Sequence, residues 1–263
     1  MVDLDAAIGY VVAHGDDVDR ARLSWLVSGT APPRGVLDIA ETGQFAEGGW
    51  PAFAGAEVPS VDATCFRLAE LDDLGALDRP AARQAVGWLA GRQRLDGTWE
   101  EDGSLADSAP HWARPGDPEA RLYLTACAGF WLTVAAGGDD GYAAAAVRAA
   151  EAFRASLRPD GSWPSFLVTG WLGAAMLHHV GWFYESAQIQ VLLSHRVPEM
   201  SAGDCAAMVA ALRRVGVSPD DPLLVAARRR LAETQRSDGG WPSADGAAFD
   251  VHTTLVGIRA LRA

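Results

Sequence analysis

Four copies of one short phrase run along the chain, each a tight glycine turn that lands on tryptophan. They are Gln44 to Gly48-Gly49-Trp50, Gln93 to Gly97-Thr98-Trp99, Leu157 to Gly161-Ser162-Trp163, and Gln235 to Gly239-Gly240-Trp241. Three fit Gln-x-x-x-Gly-x-Trp, and the third puts Leu157 at the Gln position. Repetition on this scale constrains the fold more than any local signal does. Each repeat is one supersecondary unit that buries its apolar face only against its neighbours.

What lies between the turns is helical. Ala, Leu and Arg dominate, and period-2 alternation of β-branched residues is nearly absent, so the chain reads as all-α. Helix starts are legible. Asp117-Pro118-Glu119 offers an N-cap, Pro at the first helical position and an acid in the first turn. Ser201 and Asp204 read as a capping box, while Asp62, Asp250, Asp78 with Pro80, and Asp221 with Pro222 stand before apolar-periodic runs. Stops fall at Gly75, Gly137-Gly138 and Gly216. These signals predict helices over 3–14, 18–28 with 34–43, 62–74, 80–93, 118–136, 142–157, 165–180, 182–195, 201–215, 221–235 and 250–262. They group into six pairs within one domain spanning 1–263, the fifth pair lacking a recognisable turn near Arg196–Met200.

Composition limits the partners. A net charge of −12 argues against nucleic acid or an anionic membrane surface, both of which need a basic face. All 22 basic residues are Arg, and Lys and Asn are both missing, the mark of a GC-rich coding bias. Cys65, Cys127 and Cys205 are odd in number, widely spaced and set in apolar runs, which is no disulfide framework and points to a reducing cytoplasm. No secretory signal is visible at the N-terminus. No integral membrane span is expected either, because the longest apolar stretch, Phe166 to Val180, is broken by Gly170 and Gly173. Oligomeric state is left open.

The repeated turn resembles the QW motif of the squalene–hopene cyclase and protein prenyltransferase β-subunit superfamily. Upstream residues match it too: Ala85, Trp88 and Leu89 precede Gln93 at the motif's small, aromatic and aliphatic offsets, and Arg148-Ala149 precede the third copy. The resemblance covers essentially the whole chain. It implies an α/α toroid of six inner and six outer helices around an apolar central cavity, and hence an isoprenoid or similar apolar polyene as ligand. In such a repeat Gln bonds neighbouring helix ends and Trp clamps adjacent pairs, so Trp50, Trp99, Trp163 and Trp241 read as structural.

Class II terpenoid cyclases in this superfamily protonate an alkene or epoxide with the middle Asp of Asp-x-Asp-Asp, at the start of an inner helix. No such motif occurs here. Asp250-Val251-His252-Thr253-Thr254 keeps the first Asp and the Thr, with His252 where the proton donor would stand; Asp62-Ala63-Thr64-Cys65 keeps only the first Asp. The catalytic candidates are therefore Asp250 and His252, against the plainer reading that Asp250 caps its helix and His252 fills a polar gap. Substrate-binding candidates are Tyr123, Trp131, Phe166 and Trp171 on the proposed inner helices, where the Tyr123-Cys127-Phe130-Trp131-Val134 stripe would serve packing equally well. The long loop from Glu100 to Gly116 adds Trp112 and Arg114 as a lid or diphosphate contact. No cofactor is expected. Prenyltransferase β-subunits hold zinc with Asp, Cys and His, and Asp204, Cys205 and His252 offer those types without the Asp-x-Cys spacing. Three functions stay open: a terpenoid cyclase-like enzyme, a non-catalytic binding domain, and a zinc-dependent prenyltransferase-like enzyme.

Overall fold

The computed structural model of the chain describes residues 2–135 and 140–262. Among them are twelve α-helices: α1 (Leu4–His14), α2 (Asp17–Ser28), α3 (Arg34–Glu41), α4 (Val61–Asp73), α5 (Pro80–Arg92), α6 (Pro118–Ala135), α7 (Asp140–Ser156), α8 (Leu167–His179), α9 (Phe183–Arg196), α10 (Ala202–Arg214), α11 (Pro222–Thr234) and α12 (Asp250–Arg262). The fold is all-α. Its sheet among the described residues is one antiparallel pair, β1 (Trp50–Pro51) and β2 (Pro59–Ser60), with Trp50 opposite Ser60. Helix ends lie within a residue or two of their expected places, and the expected caps form at Asp117, Ser201 and Asp221, while α5 begins at Pro80 with no side-chain cap bond and α12 begins at Asp250 itself. Asp117 Oδ1 accepts from the amides of Glu119 and Ala120, the Ser201–Asp204 box closes, and Gly75 and Gly216 adopt φ of 64° and 88°. The Gly137-Gly138 stop falls outside the described residues. Near Arg196–Met200 the missing turn is a 3₁₀ turn, Val197–Glu199. No described helix is long and apolar enough to cross a membrane.

The four Gly-Trp turns share one backbone. In each, the residue after the Gln position donates its amide to the carbonyl just before Trp, as Arg94 does to Thr98, and receives one from the glycine, as from Gly97. Glycine is required twice over. Gly48, Gly97 and Gly239 have φ of 113°, 83° and 89°, and an added Cβ would stand 2.4, 2.5 and 2.3 Å from the carbonyl oxygens of Gln84, Arg148 and Ala6. The Gln side chains carry out the tethering expected of them. Gln44 Nε2 donates to Gly48 O and Ala81 O, Gln93 Nε2 to Gly97 O and Ala145 O, and Gln235 Nε2 to Gly239 O and Asp3 O. Trp50, Trp99 and Trp241 are fully buried, whereas Trp163, in the copy with Leu157, is half-buried.

The chain divides into two compact units. One comprises residues up to Asp38, Asp73–Gly75, and the chain from Gln190 onward; in it α12 packs on α1, α2 and α10, and α10 packs on α11. The other comprises Ile39–Asp72 and Ala76–Ile189, where α6 packs on α5, α7 and α8. Small residues bring the α6 neighbourhood close: a Cβ on Gly129 would stand 2.3 Å from Met176 Sδ, and one on Gly173 would stand 2.0 Å from Phe153 Cζ.

Candidate functional site

A common hydrogen-bond pattern puts three helix starts in register. Trp50, Trp99 and Trp241 donate their backbone amides to the hydroxyls of Thr64, Thr125 and Thr254 at 3.0, 3.1 and 3.0 Å. Each Thr in turn donates to the carbonyl four residues back, at Ser60, Arg121 and Asp250. Two residues before each Thr stand Asp62, Tyr123 and His252. Asp62 is thus the counterpart of His252, and not of Asp250 as the linear comparison of the two segments has it. Nor does Asp62 cap its helix. Ser60 Oγ takes the Ala63 amide at 3.1 Å, so the helix begins at Val61 and the Asp62 carboxylate is left for other contacts.

Those contacts define the site. Tyr123 Oη donates to Asp62 Oδ1 at 2.9 Å, and the Trp112 indole donates to Asp62 Oδ2 at 3.0 Å. Around them stand rings in edge-to-face contact: Tyr123 with Phe166 at 6.0 Å between centroids, His111 with Phe166 at 5.8 Å and His111 with Trp112 at 5.1 Å. Burial, with the nearby Cys127 and Asp62, holds the Tyr123 phenol well above its ordinary value, so Tyr123 keeps its proton and remains a donor. Cys127, one turn along α6, is likewise pushed far up by burial and stays a thiol.

Glu101 completes the site from behind. Only 6 % exposed, it accepts from Ser60 Oγ at 2.7 Å and from the amides of Val61 and Asp62 at 2.9 Å each. Burial raises its carboxyl above the ordinary Glu value despite those three bonds. The neighbouring Glu100 pairs with Arg94 and Arg121 and accepts the Gly116 amide, pinning the base of the Trp112 loop. Neither Asp62 as a candidate-site residue nor Glu101 stands out in the linear sequence. Three copies read Trp-Pro after the turn and the second reads Trp99-Glu100-Glu101, a departure that marks Glu100 and leaves Glu101 unmarked.

Of the expected substrate residues, Trp112, Tyr123 and Phe166 come together here. Trp131 is buried edge-on to Phe130, Trp171 is buried on α8, and Arg114 is exposed just after the 3₁₀ turn His111–Ala113. Asp250 and His252 belong to the other unit and have different surroundings. Asp250 Oδ2 is 2.6 Å from Arg236 and its Oδ1 accepts the Ser243 amide. Burial alone would raise its carboxyl, but the Ser243 amide and Arg236 hold it below the ordinary Asp value, which keeps it an anion. His252 Nδ1 lies 3.2 Å from Arg22 Nη2. Guanidinium can only donate, so in this contact Nδ1 is the acceptor.

The residue types considered for zinc are not assembled. Asp204 is engaged by Ser201, Cys205 is pushed up to about 12 chiefly by burial, and among the described residues no three His, Cys, Asp or Glu side chains are grouped to hold a metal.

No family model matches the sequence, and no curated protein matches it. Solved structures do. A crystal structure of a protein from Actinoplanes superposes with a TM-score of 0.64 at 20 % identity, covering 99 % of both chains. Type II terpene cyclase MstE from Scytonema in its apo form gives 0.62 at 16 % identity, over 98 % of this chain and 96 % of that one. A variant of MstE in complex with its substrate, geranylgeranyl dihydroxybenzoate, gives 0.59 at 16 % identity, over 98 % and 95 %. At these identities the likeness establishes a shared all-α fold, and function has to be argued from residues.

Proposed function

We propose that the protein is a class II terpenoid cyclase-like enzyme that binds an isoprenoid or similar apolar polyene, with Asp62 as the proton donor. One observation carries this reading: Asp62 stands two residues before the Thr that receives the Trp amide, where the proton donor of the Asp-x-Asp-Asp motif stands relative to its Thr, and its carboxyl is gripped by Tyr123 and Trp112 beside Phe166. In the proposed reaction the protonated Asp62 gives its proton to a terminal alkene carbon of the polyene. The resulting carbocation is attacked by the next double bond, forming a carbon–carbon bond, and a proton is finally lost to a base, so the product is an isomer of the substrate. The Tyr123 and Trp112 donors face the charge left on the Asp62 oxygens, which is preorganised electrostatic stabilisation. Phe166 and the Trp112 ring stand beside the Asp62 carboxyl, where aromatic rings would stabilise cationic carbon.

The test is product analysis after incubation with geranylgeranyl diphosphate, farnesyl diphosphate, squalene and geranylgeranyl dihydroxybenzoate. A cyclic isomer from the wild type and none from Asp62→Asn supports the reading. Full turnover by Asp62→Asn refutes it. A second reading, a binding domain without turnover, draws on the fact that both Asp62 oxygens are already hydrogen-bonded. It gains if every substrate returns unchanged while the same compounds raise the melting temperature of the wild type and not of Trp112→Ala.

A further inference from the structure

We propose that Glu101 is a positioning residue for Asp62, a carboxylate supplied by the next repeat to fix where the Asp62 side chain points. The inference rests on the reading of Asp62 as the acid. Ordinary helix capping does not require such a group. Elsewhere in the chain Asp3, Asp16, Ser201 and Asp221 cap the helices that follow them from the adjoining position. Helix α4 has a local cap of this kind already, in Ser60. Yet a carboxylate 39 residues past Asp62 is brought into the interior to take two more amides, Val61 and Asp62. Burying a carboxylate among neutral donors is costly. The two arginines at hand go to Glu100, not to Glu101.

What that cost secures is a closed circuit. Glu101 follows Trp99 by two residues; the Trp99 amide binds Thr125, Thr125 fixes the start of α6, and Tyr123 in that start binds Asp62 Oδ1. Through Glu101, the backbone of Asp62 is tied to the same turn that places its side-chain partner. Both ends of the Asp62–Tyr123 contact are therefore referenced to Trp99, and a slip of α4 against α6 is resisted at the residue where it would matter.

The experiment uses the intact protein with Glu101→Gln, Ser60→Ala, which removes one Glu101 donor together with the Ala63 cap bond, and Asp62→Ala as the positive control. The Trp112 indole N–H signal in a nitrogen–proton NMR spectrum, assigned with Trp112→Phe, reports the bond to Asp62. Glu101→Gln is expected to move that signal and speed its exchange with solvent about tenfold or more, with the Trp241 indole signal unchanged; Ser60→Ala should do so to a smaller extent. On whichever substrate the wild type cyclises, Glu101→Gln should lower kcat roughly 10- to 100-fold, the scale of a misplacement near 1 Å, with KM within about twofold. A variant that melts earlier but leaves the Trp112 indole signal and kcat unchanged overturns the positioning role. If Asp62→Asn retains turnover, or if no substrate reacts, the acid reading fails by itself, and the indole signal still decides whether Glu101 positions Asp62.

Discussion

Replacing Asp73 by Asn should be the most damaging isosteric change in the unit that contains α12. Asp73 ends α4 and bridges two arginines, with Oδ2 at 2.6 Å from Arg22 and Oδ1 at 2.5 Å from Arg259. The Arg22 and Asp73 side chains are 4 % and 5 % exposed, and Arg259 reaches solvent more, at 21 %. Removing one partner of a buried ion pair costs about 3–5 kcal/mol, because the other charge is stranded. That figure applies to Arg22; its remaining carboxylate contact, Asp19, is longer at 3.4 Å. For a chain of this size the loss corresponds to a fall of about 6–20 °C in Tm, taking about 2–4 °C per kcal/mol. Urea unfolding at pH 7 measures it directly, with an unchanged slope showing that only stability has moved. The double variant Arg22→Met, Asp73→Asn should recover part of the loss. A cost below about 1 kcal/mol in the single variant would refute the claim that a charge is stranded.

The same pair makes a pH prediction. Burial pushes the Asp73 carboxyl up, but Arg22 and Arg259 outweigh it and hold the folded-state value below the ordinary 3.8. A carboxyl depressed on folding stabilises fully above its unfolded value, and that contribution is lost as pH falls through the folded value. Wild-type protein and Asp73→Asn should therefore differ most near neutrality and converge in acid, below pH 3.8. A constant gap down to the acid transition would contradict the assignment.

Other expectations follow from packing and tethering. Gly173→Ala should cost about 1–3 kcal/mol, since its Cβ would collide with Phe153; an unchanged melting curve counts against that contact. The Cys65, Cys127 and Cys205 thiols are all buried and raised, the first two far beyond the ordinary thiol range, so none should react with a disulfide reagent at pH 8 until urea is added. Gln93→Leu removes the bonds to Gly97 O and Ala145 O, about 0.5–1.5 kcal/mol each, whereas Leu157→Gln should cost nothing; equal losses in the two would refute the tether. Finally, we propose that the two units unfold as one domain, because the chain crosses between them inside α3, α4 and α9. Calorimetric and van't Hoff enthalpies should agree, and two resolved transitions would show otherwise.

The sequence exposed whatever depends on local chemistry. Caps such as Asp117, stops such as Gly216 and the four Gly-Trp turns are each written in adjacent residues, so helix ends came within a residue or two. Trp112, Tyr123 and Phe166 were legible as aromatics on particular elements, but their meeting place was not. For the centre of that cluster, Asp62, a linear motif comparison sets Asp against Asp and so falls two residues out of register. The register follows from Trp50 binding Thr64 and Trp241 binding Thr254, which only folding reveals. Glu101 was hidden for a similar reason: its partners lie 39 to 41 residues away. Asp250 and His252 are singled out by resemblance, and the contacts that surround them, Arg236 and the Ser243 amide for the one and Arg22 for the other, are not legible in the linear sequence.

Leu157, where the other copies have Gln, has a consequence for motion. Leucine offers no amide to reach the carbonyl at Gly161 or the helix beyond. The third turn also approaches the Gln188 side chain at Gly161, with an added Cβ at 3.0 Å, where the other three turns press against backbone carbonyl. Its Trp163 is half-buried, and α8, which it introduces, begins without a side-chain cap. The turn's amide hydrogens should therefore exchange with solvent before those of the other three turns, which hydrogen–deuterium exchange would read. Trp163 donates its indole proton to the carbonyl of Phe166, so the turn without the Gln tether is the one that delivers Phe166 to Tyr123. One side of the candidate site's aromatic cluster therefore hangs from the turn that lacks the Gln tether, so Leu157 and Tyr123 are linked through Trp163 and Phe166 although they lie in different repeats.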